Sequence, residues 1–198
     1  MDAKHIRDNT VRHVATAAKY TVVSVVSFGI IYPLLMTLIA QTIFPRQASG
    51  SIVYESGNPV GSAIVGQLWT KPQYFHGRPS AAGKGYDPTS TGGTNLGPTS
   101  KKLIDATRAA IAQLKKDNPD ASGPIPMDLV TSSASGIDPD ISPQAADYQA
   151  SRIAKARNIP VAQVLALIAG HEHGRAFGVL GEPRVNVLEL NLALDGKP

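Results

Sequence analysis

Twenty-five consecutive residues, Tyr20 to Phe44, carry no charged side chain, and no stretch like it recurs in the 154 residues that follow. A helix of that length reaches roughly 37 Å at about 1.5 Å per residue, enough to cross a hydrocarbon core of about 30 Å with some tilt. The expected organisation is a tail over 1–19, a single N-terminal transmembrane helix over 20–44, and one α+β domain over 45–198. A cleaved signal peptide is the competing reading, but its apolar region runs about 7 to 15 residues and ends in a small-x-small site. Leu38-Ile39-Ala40 places a large residue where a small one belongs, and Arg46-Gln47-Ala48 does no better.

The flanks set the expected orientation, because Lys and Arg stay on the cytoplasmic side. Lys4, Arg7, Arg12 and Lys19 precede the span, whereas Arg46 alone falls within the 20 residues after it. The amino terminus is therefore expected in the cytoplasm and the domain outside it. Within the span, Thr21, Ser24 and Ser27 recur every third residue, Gly29 follows, and Pro33 sits next to Tyr32. Small, weakly polar residues on one side let another helix approach closely, and neighbours can satisfy the carbonyl that an internal proline frees. The same residues also suit a lone helix whose Ser and Thr bond their own backbone.

Charge is divided evenly. From Arg46 onward, 15 Lys and Arg face 13 Asp and Glu, a net of +2, and the tail adds four positives against Asp2 and Asp8 for the other +2 of the total +4. No basic stripe or RNA-binding motif argues for nucleic acid, and the tail reads as a topology determinant beside anionic lipid headgroups. Cysteine is absent, which excludes disulfides and thiolate metal sites and is compatible with either side of a membrane.

The domain alternates short strands with helices. Ser51 to Tyr54 and Val60 to Val65 flank Gly57-Asn58-Pro59 and predict a hairpin. A Gly/Pro/Ser/Thr-rich stretch over 77–98 is longer than an ordinary connection and reads as functional or disordered. Leu103, Thr107, Ala110, Ile111 and Leu114 trace a helix opening near Thr99 or Ser100 and ending at Asn118-Pro119. Ser142 before Pro143 caps a second helix running to about Asn158, and Pro160 opens a third. Leu188, Leu190, Leu192 and Leu194 alternate strictly with polar or small residues, which predicts a half-buried strand over 185–194.

Several segments imitate catalytic or binding motifs. The stretch from Gly77 to Gly85 resembles a phosphate-binding loop, but five residues separate Gly77 from Gly83, and Gly85 stands where a hydroxyl must meet magnesium. His171 and His173, two apart on a helix, would point about 200° from each other and do not share one ion readily. Ser132, Ser133 and Ser135 precede only one glycine, Gly136, whereas a nucleophile elbow needs one on each side. Nothing in the sequence sets an acid beside His76. The pattern assigns no catalytic residue and no metal ligand.

Longer strings carry a resemblance. Tyr74-Phe-His-Gly-Arg-Pro-Ser-Ala81, Asn95-Leu-Gly-Pro-Thr99, the run from Leu129 to Ala146, Arg152-Ile-Ala-Lys-Ala-Arg157 and the run from Val185 to Asp195 appear in order. With Tyr32-Pro33-Leu34-Leu35 and Phe44-Pro45, these strings are similar to the C subunit family of the Kdp potassium-transporting ATPase complex. The resemblance implies a single-pass protein of the bacterial plasma membrane. Its partners would be a channel-like potassium-binding subunit, a P-type ATPase subunit and a small accessory subunit. The chain's own role would be non-catalytic, serving assembly and stability, with potassium as the transported ion and not clearly bound by this chain.

The family is also described as a catalytic chaperone that raises the ATP affinity of the ATPase subunit. No cofactor is expected to bind tightly, and ATP would act through the complex. Were nucleotide to touch this chain, Gln149, in a helix resembling the family pattern, would offer amide bonds to a ribose. The charge bias, however, places the domain where cellular ATP is scarce. The preferred expectation is an outer domain docked over the channel-like subunit through the loop residues His76, Gly77, Arg78, Pro79, Asn95, Leu96 and Gly97 and through 185–194. A membrane-tethered solitary enzyme or ligand-binding domain is the alternative.

Overall fold

The computed structural model describes residues 3–196 and resolves two compact units, one ending at Ser51 and one beginning at Ile52. In the first unit, helix α1 (Ala3–Ser24) continues through a π-helical turn, Val25–Ile31, into α2 (Tyr32–Ile43). Helical structure thus begins well ahead of Tyr20, since the tail holds neither Gly nor Pro to interrupt it. The turn widens just before Pro33, where the Tyr32 N–H donates to Ser27 O five residues back. Proline has no N–H to continue the i−4 ladder, and an added residue in the turn absorbs the mismatch. Phe44 leaves the helical region as the residue before Pro45, and α3 (Pro45–Ala48) follows.

One continuous stretch, Arg7–Ile43, is long and apolar enough to cross a membrane. Its large side chains are exposed throughout, with none buried from Val25 onward. A helix that is apolar all round and covered by nothing calls for lipid or for another helix. Of the small polar residues expected along one side, Thr21 and Ser24 lie in α1, Ser27 and Gly29 in the π turn, and Pro33 in the first turn of α2. Thr37 and Thr42 donate their hydroxyls to Pro33 O and Leu38 O, each at 2.8 Å, so these two serve their own backbone.

The second unit is α+β. Strands β1 (Ile52–Glu55) and β2 (Asn58–Ser62) form the expected hairpin, with the turn one residue earlier than its sequence suggests. Ser56 and Gly57, at φ +49° and +82°, make the reversal, and Pro59 lies inside β2. A register shift between Val53 and Tyr54 creates a bulge beside Pro59, the kind of place where a strand accepts a residue without a donor. Helix α4 (Lys101–Asp117) follows, and β3 (Asp140–Ile141) leads into α5 (Pro143–Arg157). Ser142 Oγ accepts from Ala145 N at 3.1 Å, as the cap pattern predicts, and α5 ends where expected, at Asn158, which takes the left-handed region. Helix α6 (Val161–Gly170) packs back on α5, and β4 (Glu172–His173), β5 (Arg184–Asn186) and α7 (Val187–Leu194) complete the chain.

The strand expected over 185–194 is mostly a helix. Only Arg184–Asn186 is extended, pairing antiparallel with β3 on one side and β4 on the other. Asn186 then turns the chain, its side chain accepting from Leu188 N and Glu189 N at 3.1 and 3.2 Å. The alternating leucines coexist with a helical set: Val187, Leu190 and Asn191 are buried, with Leu194 packed against the core one turn on. The core gathers Ala145, Ala146, Ala150, Ile153 and Ala154 of α5 with Val164, Ile168, Val185, Leu190 and Phe75. Alanines on α5 let α6 and the segment holding Phe75 come close.

Candidate functional site

Residues 66–100 contain neither helix nor strand, yet Phe75 and Ala82 are fully buried. Buried peptide groups must be paired, so the partners of this segment have to come from elsewhere. They come from side chains of α5 and α7. Asn191 lies alongside Phe75, accepting from its N at 2.8 Å and donating to its O at 3.1 Å. Gln149 does the same for His76, accepting from N at 2.9 Å and donating to O at 3.1 Å. Each carboxamide stands in for one residue of a neighbouring strand.

Two arginines extend the cradle. Arg152 donates from NH1 to Pro72 O and to Tyr74 O, the latter at 3.0 Å, from NH2 to Gln149 Oε1 at 2.7 Å, and from Nε to Asn118 Oδ1 at 3.0 Å. Burial, only partly offset by Asp117, pushes its pKa down to about 10, so the guanidinium remains a cation at neutral pH. Arg157 binds Gln73 O and Leu194 O, both at 2.8 Å, and Asp195 at 2.7 Å, with its guanidinium 5.0 Å from the Tyr74 ring centroid. Tyr74 donates to Asp195 at 2.9 Å, and that bond holds the phenol above its ordinary pKa.

The stretch 77–98 is a built part of the unit. Arg78 pairs with Asp138 at 3.0 Å, and Tyr86 donates its hydroxyl to Arg78 O at 2.7 Å. Burial, reinforced by Asp138, pushes the Tyr86 hydroxyl up to about 12. Ser80 Oγ donates to Gly136 O at 2.5 Å and accepts from Tyr86 N at 2.8 Å, while Gly92 N reaches Ser135 O at 2.8 Å. Gly136, at φ +72°, leaves no room for a side chain, since an added Cβ would lie 2.7 Å from Ala82 Cβ. The serine cluster that imitates a nucleophile loop is therefore a seat: Ser133 Oγ and Ser135 Oγ accept from Gly136 N and Ile137 N.

A cleft of about 350 Å³ opens along this segment, lined by Trp69, His76, Arg78, Lys84, Asp117 and Gln149 among others. Gly77 and Pro79 line it too, whereas Asn95, Leu96 and Gly97 do not. The expected contact loop thus splits into two places. Among the described residues, Trp69 Nε1 and Arg78 Nε are buried donors without an acceptor. Gln149, whose amide was expected to be on offer to a ribose, is 1% exposed with that amide spent on His76 and Ala145. His171 Nδ1 lies 2.8 Å from Leu167 O at the end of α6, and His173 pairs with Glu189 at 3.5 Å from β4, so the two histidines serve separate contacts.

His76 gives the site a pH response. Burial foremost, and then the Arg152 charge, hold its pKa below the ordinary 6.5, and Nε2 donates to Lys71 O at 3.0 Å. The unfolded chain consequently binds a proton at a higher pH than the folded one. Stability contributed by neutral His76 is complete above 6.5 and is lost as pH falls through 6.5 toward the folded value. Thermal unfolding of the full-length chain between pH 8 and about pH 5 is expected to show this loss, and His76→Gln to flatten the slope.

Sequence reasoning passed over Arg152, Arg157, Asn118 and Asn191 as cradle residues. A signal was present: Arg152 shares its helix face with Ala145 and Gln149, and a charged residue amid alanines and isoleucine on a core helix marks a buried hub.

Compared with known proteins, residues 14–196 match the family model described as KdpC, the K+-transporting ATPase c chain. A potassium-transporting ATPase KdpC subunit of Myxococcus xanthus is 53% identical over 181 residues, covering 91% of this chain and 86% of that one. Those of Acidobacterium capsulatum and Koribacter versatilis are 54% and 50% identical, covering 92% and 93% of this chain and 97% and 95% of their own.

Proposed function

This chain belongs to the KdpC family, the c chain of K+-transporting ATPases, and from that premise we propose that it is a non-catalytic accessory subunit stabilising an ATP-driven potassium importer. One observation carries the non-catalytic part. The most buried polar side chains, Gln149 and Asn191, are committed to holding the chain's own backbone, as is most of Arg152. A catalytic constellation needs such groups free and convergent on a reacting atom.

The partners are a channel-like potassium-binding subunit, a P-type ATPase subunit and a small accessory subunit in a bacterial plasma membrane. The excess of Lys and Arg before the apolar helix favours a cytoplasmic amino terminus and an outer domain. Thr21, Ser24, Ser27, Gly29 and Pro33 are the side offered to a partner helix.

A second reading, in which the subunit raises ATP affinity, draws on the cleft beside His76, where Lys84 would meet an anionic ligand while Arg78 is paired with Asp138 and Asp117 also lines the wall. Since the Gln149 amide is engaged, Lys84 and the Trp69 indole N–H would be the groups that meet it.

The test is a mild-detergent pull-down of the tagged chain from its native membrane, with potassium-stimulated ATPase activity assayed in the eluate. Recovery of the channel-like and P-type subunits with activity is expected. Recovery of the chain alone, under conditions that preserve other membrane complexes, would overturn the assignment and revive a solitary domain.

A further inference from the structure

Helix α4 gathers the positive charge of the second unit on one side. Lys101, Lys102, Arg108, Lys115 and Lys116 lie in it with Asp105 and Asp117, a net of +3 over 17 residues. Since the residues from Arg46 onward net +2, that stretch without α4 nets −1. Along the chain these cations look scattered, but at about 100° per residue the helix brings all five within an arc of about 140°. All five are exposed, as are Ala109 and Ala112 between them. Leu103, Thr107, Ala110, Ile111 and Leu114 take the opposite side, where each is half-buried and Leu114 packs against the core.

Little within the unit neutralises that side. Lys101 pairs with Asp105 at 2.5 Å, one turn along the helix. Asp117 lies off the arc, where it lines two clefts and accepts from Gln113 at 2.8 Å. Lys102, Arg108, Lys115 and Lys116 meet no carboxylate within ion-pair distance among the described residues. A charged helix face is ordinarily just solvated, but this one is tethered. Only eight residues, 44–51, separate the apolar stretch Arg7–Ile43 from the second unit, so headgroups stay at high effective concentration around it.

We propose that the basic side of α4 rests on the anionic lipid headgroups of the membrane that anchors the chain, holding the second unit to the bilayer at a second place. Composition selects lipid over protein as the occupant. Four of the five cations are Lys, the residues between them include two alanines, and α4 contains no aromatic. Protein interfaces are depleted in Lys and anchored by aromatic residues and Arg, whereas headgroups attract lysines through charge alone. The attraction requires membrane anchorage and not the pump assignment. An orientation fixed in this way lowers the ordering cost when the unit meets a partner in the same membrane.

The chain has no cysteine, so Ala112→Cys places a single fluorophore near the centre of the basic side. The labelled full-length chain is set in nanodiscs of phosphatidylcholine, or of phosphatidylcholine mixed with phosphatidylglycerol, each carrying a headgroup-attached quencher. Quenching is expected to be several-fold stronger in the anionic discs at low salt and to fall to the neutral-disc level in about 1 M salt. Lys102→Gln, Arg108→Gln and Lys115→Gln together should lower the ratio of docked to free unit at least about tenfold, since each cation near such a surface is worth roughly fivefold. Thermal unfolding of this triple variant should match the parent, because none of the three side chains gives up an ion pair, so lost docking is distinguished from lost fold. Equal quenching in neutral and anionic discs, or quenching that salt leaves unchanged, overturns the proposal. So does a label that becomes shielded in neutral discs only when the other transporter subunits are added, which would assign the basic side to an acidic protein surface.

Discussion

Replacing Arg152 by alanine is expected to destabilise the folded unit by about 4 kcal/mol and to lower the unfolding midpoint of the full-length chain by about 10 °C. The guanidinium serves four acceptors at once, Pro72 O, Tyr74 O, Gln149 Oε1 and Asn118 Oδ1. Alanine leaves the two carbonyls and the Asn118 oxygen without that donor in surroundings where the arginine itself is only 8% exposed. Lysine keeps the charge but not the fork, and its single head reaches fewer of these oxygens, so Arg152→Lys should lose about half as much. Thermal unfolding in detergent measures both. An Arg152→Ala midpoint within 2 °C or so of the parent would show that water replaces the guanidinium freely.

Asn191→Leu comes next, at about 3 kcal/mol, although leucine is close in volume and more apolar. The loss is of pairing and not of packing, because Phe75 N and O both give up their partner at a site with no solvent exposure. Gln149→Met makes the same test at His76, where Gln149→Glu should be milder: it still accepts from His76 N and gains attraction to Arg152. A double-mutant cycle between positions 149 and 191 would show coupling if residues 75 and 76 detach together. Strict additivity would mean that the segment is held residue by residue.

Docking through the cleft side of loop 77–98 is best tested by exposed point substitutions such as Lys84→Ala, since the fully buried Ala82 makes deletion of the loop a folding experiment. The loop is a built part of the unit. Its composition reads as mobile because Gly, Pro, Ser and Thr make poor regular structure. Ser80, Tyr86 and Gly92 nevertheless find fixed partners at Gly136, Arg78 and Ser135 respectively, and none of these pairings has a sequence period to reveal it.

The final segment shows the limit of periodicity more sharply. Val187-Leu-Glu-Leu-Asn-Leu-Ala-Leu194 satisfies a period of two through its leucines and a period near 3.6 through residues 187, 190, 191 and 194. What decides between them is Asn186, whose side chain caps Leu188 and Glu189, together with Phe75, which demands the Asn191 amide from a helical turn. Capping at Ser142 was legible because cap, proline and helix are contiguous. The partner of Asn191 lies 116 residues away.

Sequence by itself determined the apolar helix and its charge-biased flanks, helices α4, α5 and α6 of the second unit and the family, because each is written in neighbouring residues or in long ordered strings. Tertiary structure alone decided that Gln149, Arg152, Arg157 and Asn191 hold the segment at 72–76 and that 187–194 is helical. Those outcomes depend on which distant peptide groups are left without a partner when the core closes. Hydrogen bonds between side chains and a remote backbone leave no local pattern to read.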